Sequence, residues 1–390
     1  MKKVLLVAIA LILVIGIIPL TACGGGEEEY KIGAVLAITG FNSALGEPEK
    51  QTLEMLEEEI NDAGGIDGKN VKIIIYDTET DNDIARTATK RLIEQDNVLA
   101  VIGASSSGVT MAMLDTITEA EVPLVSLAAA DEIVKPVDER YWIFKTPQPN
   151  SMVADRIYEY LDSEGITEVA IISASDGYGV LGHDALVNRA DYWDMNIVAD
   201  ETFDPDDTDM TTQLTKIKGF EPEAVICWGT NKGSSVVAKN MKSLDMDMPL
   251  LMSHGIANKD FIDAAGTAAD GVIFPVGKLP VADLISDSDP QKEVLLDYTA
   301  DFEALWGEGN VDTFGGHAWD AFILITNAIQ SLVDEGKEVD RAGIRDKLES
   351  AELIGISGVF NMSTTDHLGL TSDCLVLVEI EDGEWTLLEE

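Results

Sequence analysis

Short apolar runs alternate with longer segments whose apolar positions recur every three or four residues through most of the chain. Residues 30–37, 70–76, 98–102 and 122–126 have the continuous apolar, β-branched character of buried strands. Between them, 47–61, 84–94 and 109–120 have helical spacing; in the first of these Leu53, Leu56 and Ile60 share one stripe. The alternation pauses at 144–150, where Pro147 and Pro149 impose an extended crossing. It then resumes, with helices over 151–164, 180–193, 211–218 and 234–244 and strands over 168–173, 196–203, 224–228, 250–252 and 271–275. Three helical segments follow Pro275, at 292–306, 313–334 and 341–350. The chain ends in two strand-like runs, 374–379 and 384–388, split by the hairpin signal Asp382-Gly383. Repeated strand–helix units predict an α/β protein with two parallel sheets, each covered by helices on both faces.

Ligands of open α/β sheets lie outside the carboxyl ends of the strands, so the loops at those ends are the candidates for chemistry. In the first module they are Ser105-Ser106-Ser107-Gly108 and Ser126-Leu127-Ala128-Ala129-Ala130-Asp131; in the second, Ser175-Asp176-Gly177-Tyr178-Gly179 and Trp228-Gly229-Thr230-Asn231-Lys232. The serines precede a helix, and two roles are open to them. They can cap it, or with its free N–H groups they can hold a small anion such as a carboxylate. The small residues Ala128, Ala129 and Ala130 allow close approach to backbone N–H groups, and Tyr178 can close over an apolar body. Asp176 fits a ligand contact and a turn-forming side chain equally, and Lys232 fits an anion partner or a solvated helix start.

The amino terminus changes the picture. Met1-Lys2-Lys3 followed by an apolar run to Pro19 is a charged and then a hydrophobic leader segment, shorter than the ~20 residues of a spanning helix. It ends at Leu20-Thr21-Ala22-Cys23, a pattern that resembles the bacterial lipoprotein signal, which implies lipid on Cys23. Residues 1–22 are then a leader and 23–29, with three glycines and three glutamates, a flexible tether.

Charge excludes one class of partner. The formal net charge is −45, and −47 once Lys2 and Lys3 leave with the leader, so no basic surface is available for nucleic acid. The same field repels an anionic ligand, which must be attracted locally. Cys227 and Cys374 lie in strand-like runs and suit buried thiols, a disulfide between them being the alternative. The four histidines have no metal-ligand spacing, and no cofactor motif is present. The acidic run 204–209 resembles a calcium loop in composition but lacks its glycine and terminal glutamate. No nucleophile elbow accompanies the serines.

Lys31-Ile32-Gly33-Ala34-Val35-Leu36 with Thr39-Gly40, the stretch Ile60-Asn61-Asp62-Ala63-Gly64-Gly65-Ile66-Asp67-Gly68, the 103–108 loop, Tyr178-Gly179 and Ala318-Trp319-Asp320-Ala321 together resemble the type I periplasmic binding proteins. More narrowly they resemble the branched-chain amino-acid binding proteins of ABC importers. The resemblance spans the mature chain. It implies two Rossmann-like lobes, 30–146 with 276–360 and 147–275 with 361–390, joined by three hinge crossings near Thr146, Pro275 and Phe360, with a ligand cleft between them. It implies a monomeric, extracytoplasmic, lipid-anchored binding protein that uses no cofactor and hands a carboxylate-bearing solute to permease subunits. The alternatives are a sensory ectodomain of the same fold and, less favoured, an enzyme using the serine loop. Residue by residue, the resemblance assigns the ligand carboxylate to Ser107, assisted by the next loop at Ala128 and Ala130, and the covering aromatic to Tyr178; Ser106, Ala129 and Thr230 are further candidate ligand contacts. It also exposes departures: His254 stands where an acidic residue meets the ligand's ammonium, Ala130 where a threonine assists, and Leu45 where an aromatic is usual. A zwitterion therefore lacks a counter-charge, and the expected ligand is a carboxylate with an apolar body rather than necessarily an α-amino acid.

Overall fold

The structure is a computed structural model and describes residues 29–388; the leader, Cys23 and the tether up to residue 28 lie outside them. The first half forms β1 (Tyr30–Leu36), α1 (Ser43–Asp62), β2 (Val71–Asp77), α2 (Asn82–Glu94), β3 (Ala100–Gly103), α3 (Ser107–Glu119), β4 (Leu124–Ser126) and β5 (Ile143–Lys145). Its five strands pair in parallel in the order β2-β1-β3-β4-β5. β5 falls where the pattern predicts only a crossing. With three residues at a sheet edge it is too short to show any periodicity.

The second body starts with α4 (Asn150–Ser163), β6 (Glu168–Ala174), α5 (Gly177–Ala190) and β7 (Asn196–Phe203). It continues through α6 (Thr211–Lys218), β8 (Ala224–Trp228), α7 (Asn231–Ser243), β9 (Leu250–Met252), α8 (Lys259–Ala265) and β10 (Val272–Gly277). Then come α9 (Lys292–Trp306), α10 (Thr313–Asp334), α11 (Arg341–Leu348), β11 (Glu352–Ile354), β12 (Val359–Asn361), β13 (Leu375–Glu381) and β14 (Glu384–Leu387). The second sheet runs β14-β13-β10-β9-β8-β6-β7, and only β13 and β14 are antiparallel to their neighbours. Asp382 and Gly383 both have positive φ, as a two-residue hairpin with right-handed strand twist requires.

β10 runs through Pro275, where the sequence predicts a crossing, to Gly277. Its pairing with β9 ends at Ile273, so the missing N–H of Pro275 interrupts no ladder on that side. After β10 the chain returns to the first body, where α10 packs along α1. The apolar stripe of α10 is broad because it is buried on nearly all sides, with Phe322, Ile325 and Ile329 sealed from solvent. β3 and β8, buried along their whole length, carry no polar alternation, which is the signature of parallel strands covered on both faces. Cys227 and Cys374 are both buried free thiols. No helix among the described residues is long and apolar enough to cross a membrane.

Candidate functional site

The carboxyl ends of the two sheets face each other across a small cavity, with about 30 Å³ of room for the centre of a water-sized sphere. The first body contributes Leu45 of α1, the Ser105–Ser107 loop, Leu127 to Ala129 after β4, and Phe314 and His317 of α10. The second contributes Tyr178 of α5, Thr230 ahead of α7, and His254 and Gly255 after β9, while Pro147 lies on the crossing between them. Of the residues singled out in the sequence, Leu45, Ser106, Ser107, Ala128, Ala129, Tyr178, Thr230 and His254 all stand on this wall. Ala130 does not. Its N–H turns inward to donate to Ser107 Oγ at 3.2 Å, so it fixes the serine instead of facing the cavity.

The serine loop follows a sharp turn at Gly103. Its φ of +116° and the 2.2 Å that would separate a Cβ from the Val35 carbonyl leave room for glycine alone. Ser105 is tied down, accepting from the Ala37 N–H at 2.9 Å and donating to Glu49. Ser106 is the residue before α3, yet its side chain makes no capping bond. Ser106 therefore does not cap α3 through its side chain, and Ser106 and Ser107 both line the cavity at the start of that helix. Behind the next loop the buried Lys145 donates to the carbonyls of Ala129 (2.5 Å) and Ala130 (3.3 Å). Burial pushes its ammonium down to about 7, against the pull of Asp131. Hydroxyls and a helix amino terminus line this side of the cavity, with the buried Lys145 behind the alanine loop and Glu49 behind Ser105.

The opposite wall is aromatic. Tyr178 lies 6.0 Å from Trp228 and 6.1 Å from His254, ring centroid to centroid, and its hydroxyl is 3.3 Å from His254 Nδ1. His254 is buried, and desolvation together with Lys145 drives it down to about 3, so its imidazole is neutral. His317 is buried to the same effect and pushed to about 3 by desolvation, His254 and Lys145. Among the described residues, no aspartate or glutamate lines the cavity.

The two bodies are closed on each other. Thr230 Oγ1 donates to Asn42 Oδ1 at 3.0 Å, and Asn258 Nδ2 donates to the Ala44 carbonyl at 3.3 Å. The amino termini of α3 and α5 touch through Gly108 and Gly177; a Cβ on Gly177 would stand 2.5 Å from the Gly108 Cα.

Other candidates resolve differently. Asp176 caps α5 by accepting from the Gly179 N–H at 2.8 Å, and Lys232 pairs in solvent with Asp206. Asp204 and Asp207 are absorbed in turn hydrogen bonds, and no cluster able to hold a metal exists among the described residues. A larger groove, about 620 Å³, opens elsewhere around Tyr192, Trp193 and Leu370, but Arg189 there is paired with Asp155 and Lys135 with Asp131. Phe314, His317 and Pro147 are site residues the sequence reading missed. The available signal was a histidine and an aspartate, His317 and Asp320, one turn apart in the otherwise apolar stretch 314–325 of α10, where neither is tolerated without a partner.

The periplasmic binding protein family model matches residues 29–384. The Leu/Ile/Val-binding protein BraC3 of Rhizobium johnstonii is 24% identical over 327 residues, covering 81% of this chain and 86% of its own. An extracellular ligand-binding receptor from Rhodopseudomonas palustris superimposes with a TM-score of 0.87 at 28% identity, covering 93% of this chain and all of that one. The branched-chain amino acid transporter substrate binding protein LivJ of Streptococcus pneumoniae, in complex with isoleucine, has the same fold, with a TM-score of 0.79 at 24% identity over 93% of this chain and 99% of its own. The chain belongs to the periplasmic binding protein family, with the type I fold, and is a solute-binding protein rather than an enzyme.

Proposed function

We propose that this protein is an extracytoplasmic lipoprotein, anchored through Cys23, that traps a small carboxylate-bearing solute and delivers it to the permease of an ABC importer. Lobes 30–146 with 276–360 and 147–275 with 361–390 close on the solute as a hinged trap. Its carboxylate lies against Ser106, Ser107 and the Ala128–Ala129 backbone, and its apolar body against Leu45, Leu127, Phe314 and Tyr178. The observation that carries the reading is the one-sided chemistry of the cavity: hydroxyls and a helix amino terminus on one side, Lys145 behind the alanine loop, and no acidic side chain lining it among the described residues. An ammonium buried there would have no counter-charge, a cost of several kcal/mol. The relatives named for Leu, Ile and Val support a small ligand with an apolar body.

Native mass spectrometry of the protein as purified tests the assignment, because a trapped solute appears as a discrete added mass. A retained cation, or leucine binding tighter than every non-amino acid, would overturn it. The Ser107→Ala variant removes the hydroxyl and leaves the Ala130 N–H without its acceptor, and is expected to weaken carboxylate binding by roughly 10- to 100-fold in calorimetry. Cys23→Ser should move the protein from the membrane fraction to the soluble one.

A further inference from the structure

Tyr178 covers the cavity from the second body, and its ring is fixed from three sides. Behind it stands Trp228, the last residue of β8, sealed from solvent and outside the cavity lining, with its ring centroid 6.0 Å from that of Tyr178 at an interplanar angle of 45°. At one edge the Tyr178 hydroxyl meets His254 Nδ1 at 3.3 Å, and at another the ring lies on the Gly255 backbone, where a Cβ would stand 2.7 Å from Tyr178 Cε1. Trp228 is in turn wedged onto α5. Gly182, one turn beyond Tyr178 on the same helix face, leaves the notch that the indole fills; a Cβ there would stand 1.9 Å from Trp228 Nε1. The indole N–H has no hydrogen-bond partner among the described residues, so what Trp228 contributes is bulk. Tyr178 therefore has no space into which to retreat.

With that wall fixed, the closed lobes leave about 30 Å³, roughly a fifth of the ~150 Å³ apolar cavity that takes up benzene. A bulkier solute holds the lobes apart and forfeits the Thr230–Asn42 and Asn258–Ala44 bonds and the Gly108–Gly177 contact made on closure. The lining narrows the class further. Among the described residues no lysine or arginine lines the cavity, so a second carboxylate would go unmet, and away from the serines the walls are Leu45, Leu127 and Phe314. We propose that Trp228 is a positioning residue that sets ligand size through Tyr178, and that the solute is a short-chain aliphatic monocarboxylate of about two to four carbons. This rests on the carboxylate-binding reading above and narrows it to a size class.

Calorimetry on the full-length protein tests this with acetate, propanoate, butanoate, hexanoate and benzoate, and with butanamide as the uncharged counterpart of butanoate. The tightest binder is expected among the first three, with hexanoate and benzoate about 10-fold or more weaker. Trp228→Leu leaves space behind Tyr178 into which its ring can swing, so hexanoate should gain on butanoate by about 10-fold or more. Trp228→Phe, a milder change to the core, should shift the preference in the same direction by a smaller factor, and it decides alone where Trp228→Leu does not fold. Gly182→Ala drives the indole toward Tyr178 and should move the preference toward acetate. A purely structural role for Trp228 would weaken every acid by the same factor and leave their order unchanged. If the Trp228 variants keep the wild-type order, the positioning role fails. If hexanoate or benzoate binds the wild type within about 3-fold of the best short acid, the size class fails. Either outcome leaves the carboxylate reading standing as long as butanoate binds more tightly than butanamide; binding of no acid, or of butanamide as tightly as butanoate, overturns both.

Discussion

The two walls of the cleft are built on the same strand–loop–helix plan and do different work. On the first, the loop after β3 points hydroxyls and the amino terminus of α3 inward, and Lys145 stands behind the neighbouring loop. On the second, the loop after β6 spends its polar residue on capping, since Asp176 binds the Gly179 N–H, and what it presents is the ring of Tyr178 backed by Trp228 and His254. One helix start is left open for an anion and the other is closed by its own side chain. The comparison teaches that a helix amino terminus becomes a ligand site only where no local carboxylate has already filled it.

The contact between the two helix starts is the place where this comparison breaks most sharply. Gly177→Val puts a branched side chain where even a Cβ would stand 2.5 Å from the Gly108 Cα, so the lobes must stay apart. Carboxylate affinity is expected to fall by about 100-fold or more, as closure no longer contributes to binding. Small-angle scattering should show a larger radius that added ligand does not reduce, and an unchanged closed radius would refute the role of the glycine pair.

Next in size is the cation behind the first wall. Lys145 is charged below about pH 7 and loses its proton above it, so the attraction it exerts on a carboxylate is present at low pH and fades as pH rises. A bound carboxylate itself favours the ammonium and displaces the fall upward. Titrations across pH 6 to 9 should show wild-type affinity dropping roughly 10-fold toward the level of Lys145→Met, whose affinity is lower and flat. Parallel curves for the two proteins would remove Lys145 from the account.

The smallest effect belongs to the latch at the rim. Thr230→Val deletes the hydroxyl that reaches Asn42 and should weaken ligand binding about 3-fold, mainly through faster release in stopped-flow dissociation. An altered on-rate with unchanged release would place the contact in the encounter instead of in the closed state.

Much of the fold was legible because parallel strands and amphipathic helices announce themselves through burial. The helices Lys292–Trp306 and Thr313–Asp334 and the strands Asn196–Phe203 and Ala224–Trp228 have the limits their apolar spacing predicts. Elements fixed by a partner rather than by their own pattern were not legible. β5, α8 and the β11–β12 pair are too short for a period to register. The serine and alanine loops were recognisable because strand ends and turn residues are local signals.

The sequence by itself therefore determined the α/β order, the loops that reach the cleft and the acidity that forces anion attraction to be local, since each depends on neighbours in the chain or on composition. The tertiary structure alone decided which groups in those loops are free. Ser105 is taken by Glu49, Ala130 by Ser107 and Asp176 by its own helix, and His317 comes to the cavity from a helix well over a hundred residues downstream of Tyr178. Whether a polar group can bind a ligand depends on whether another group has already paired with it, and the deciding partners are set by packing between segments far apart in the chain.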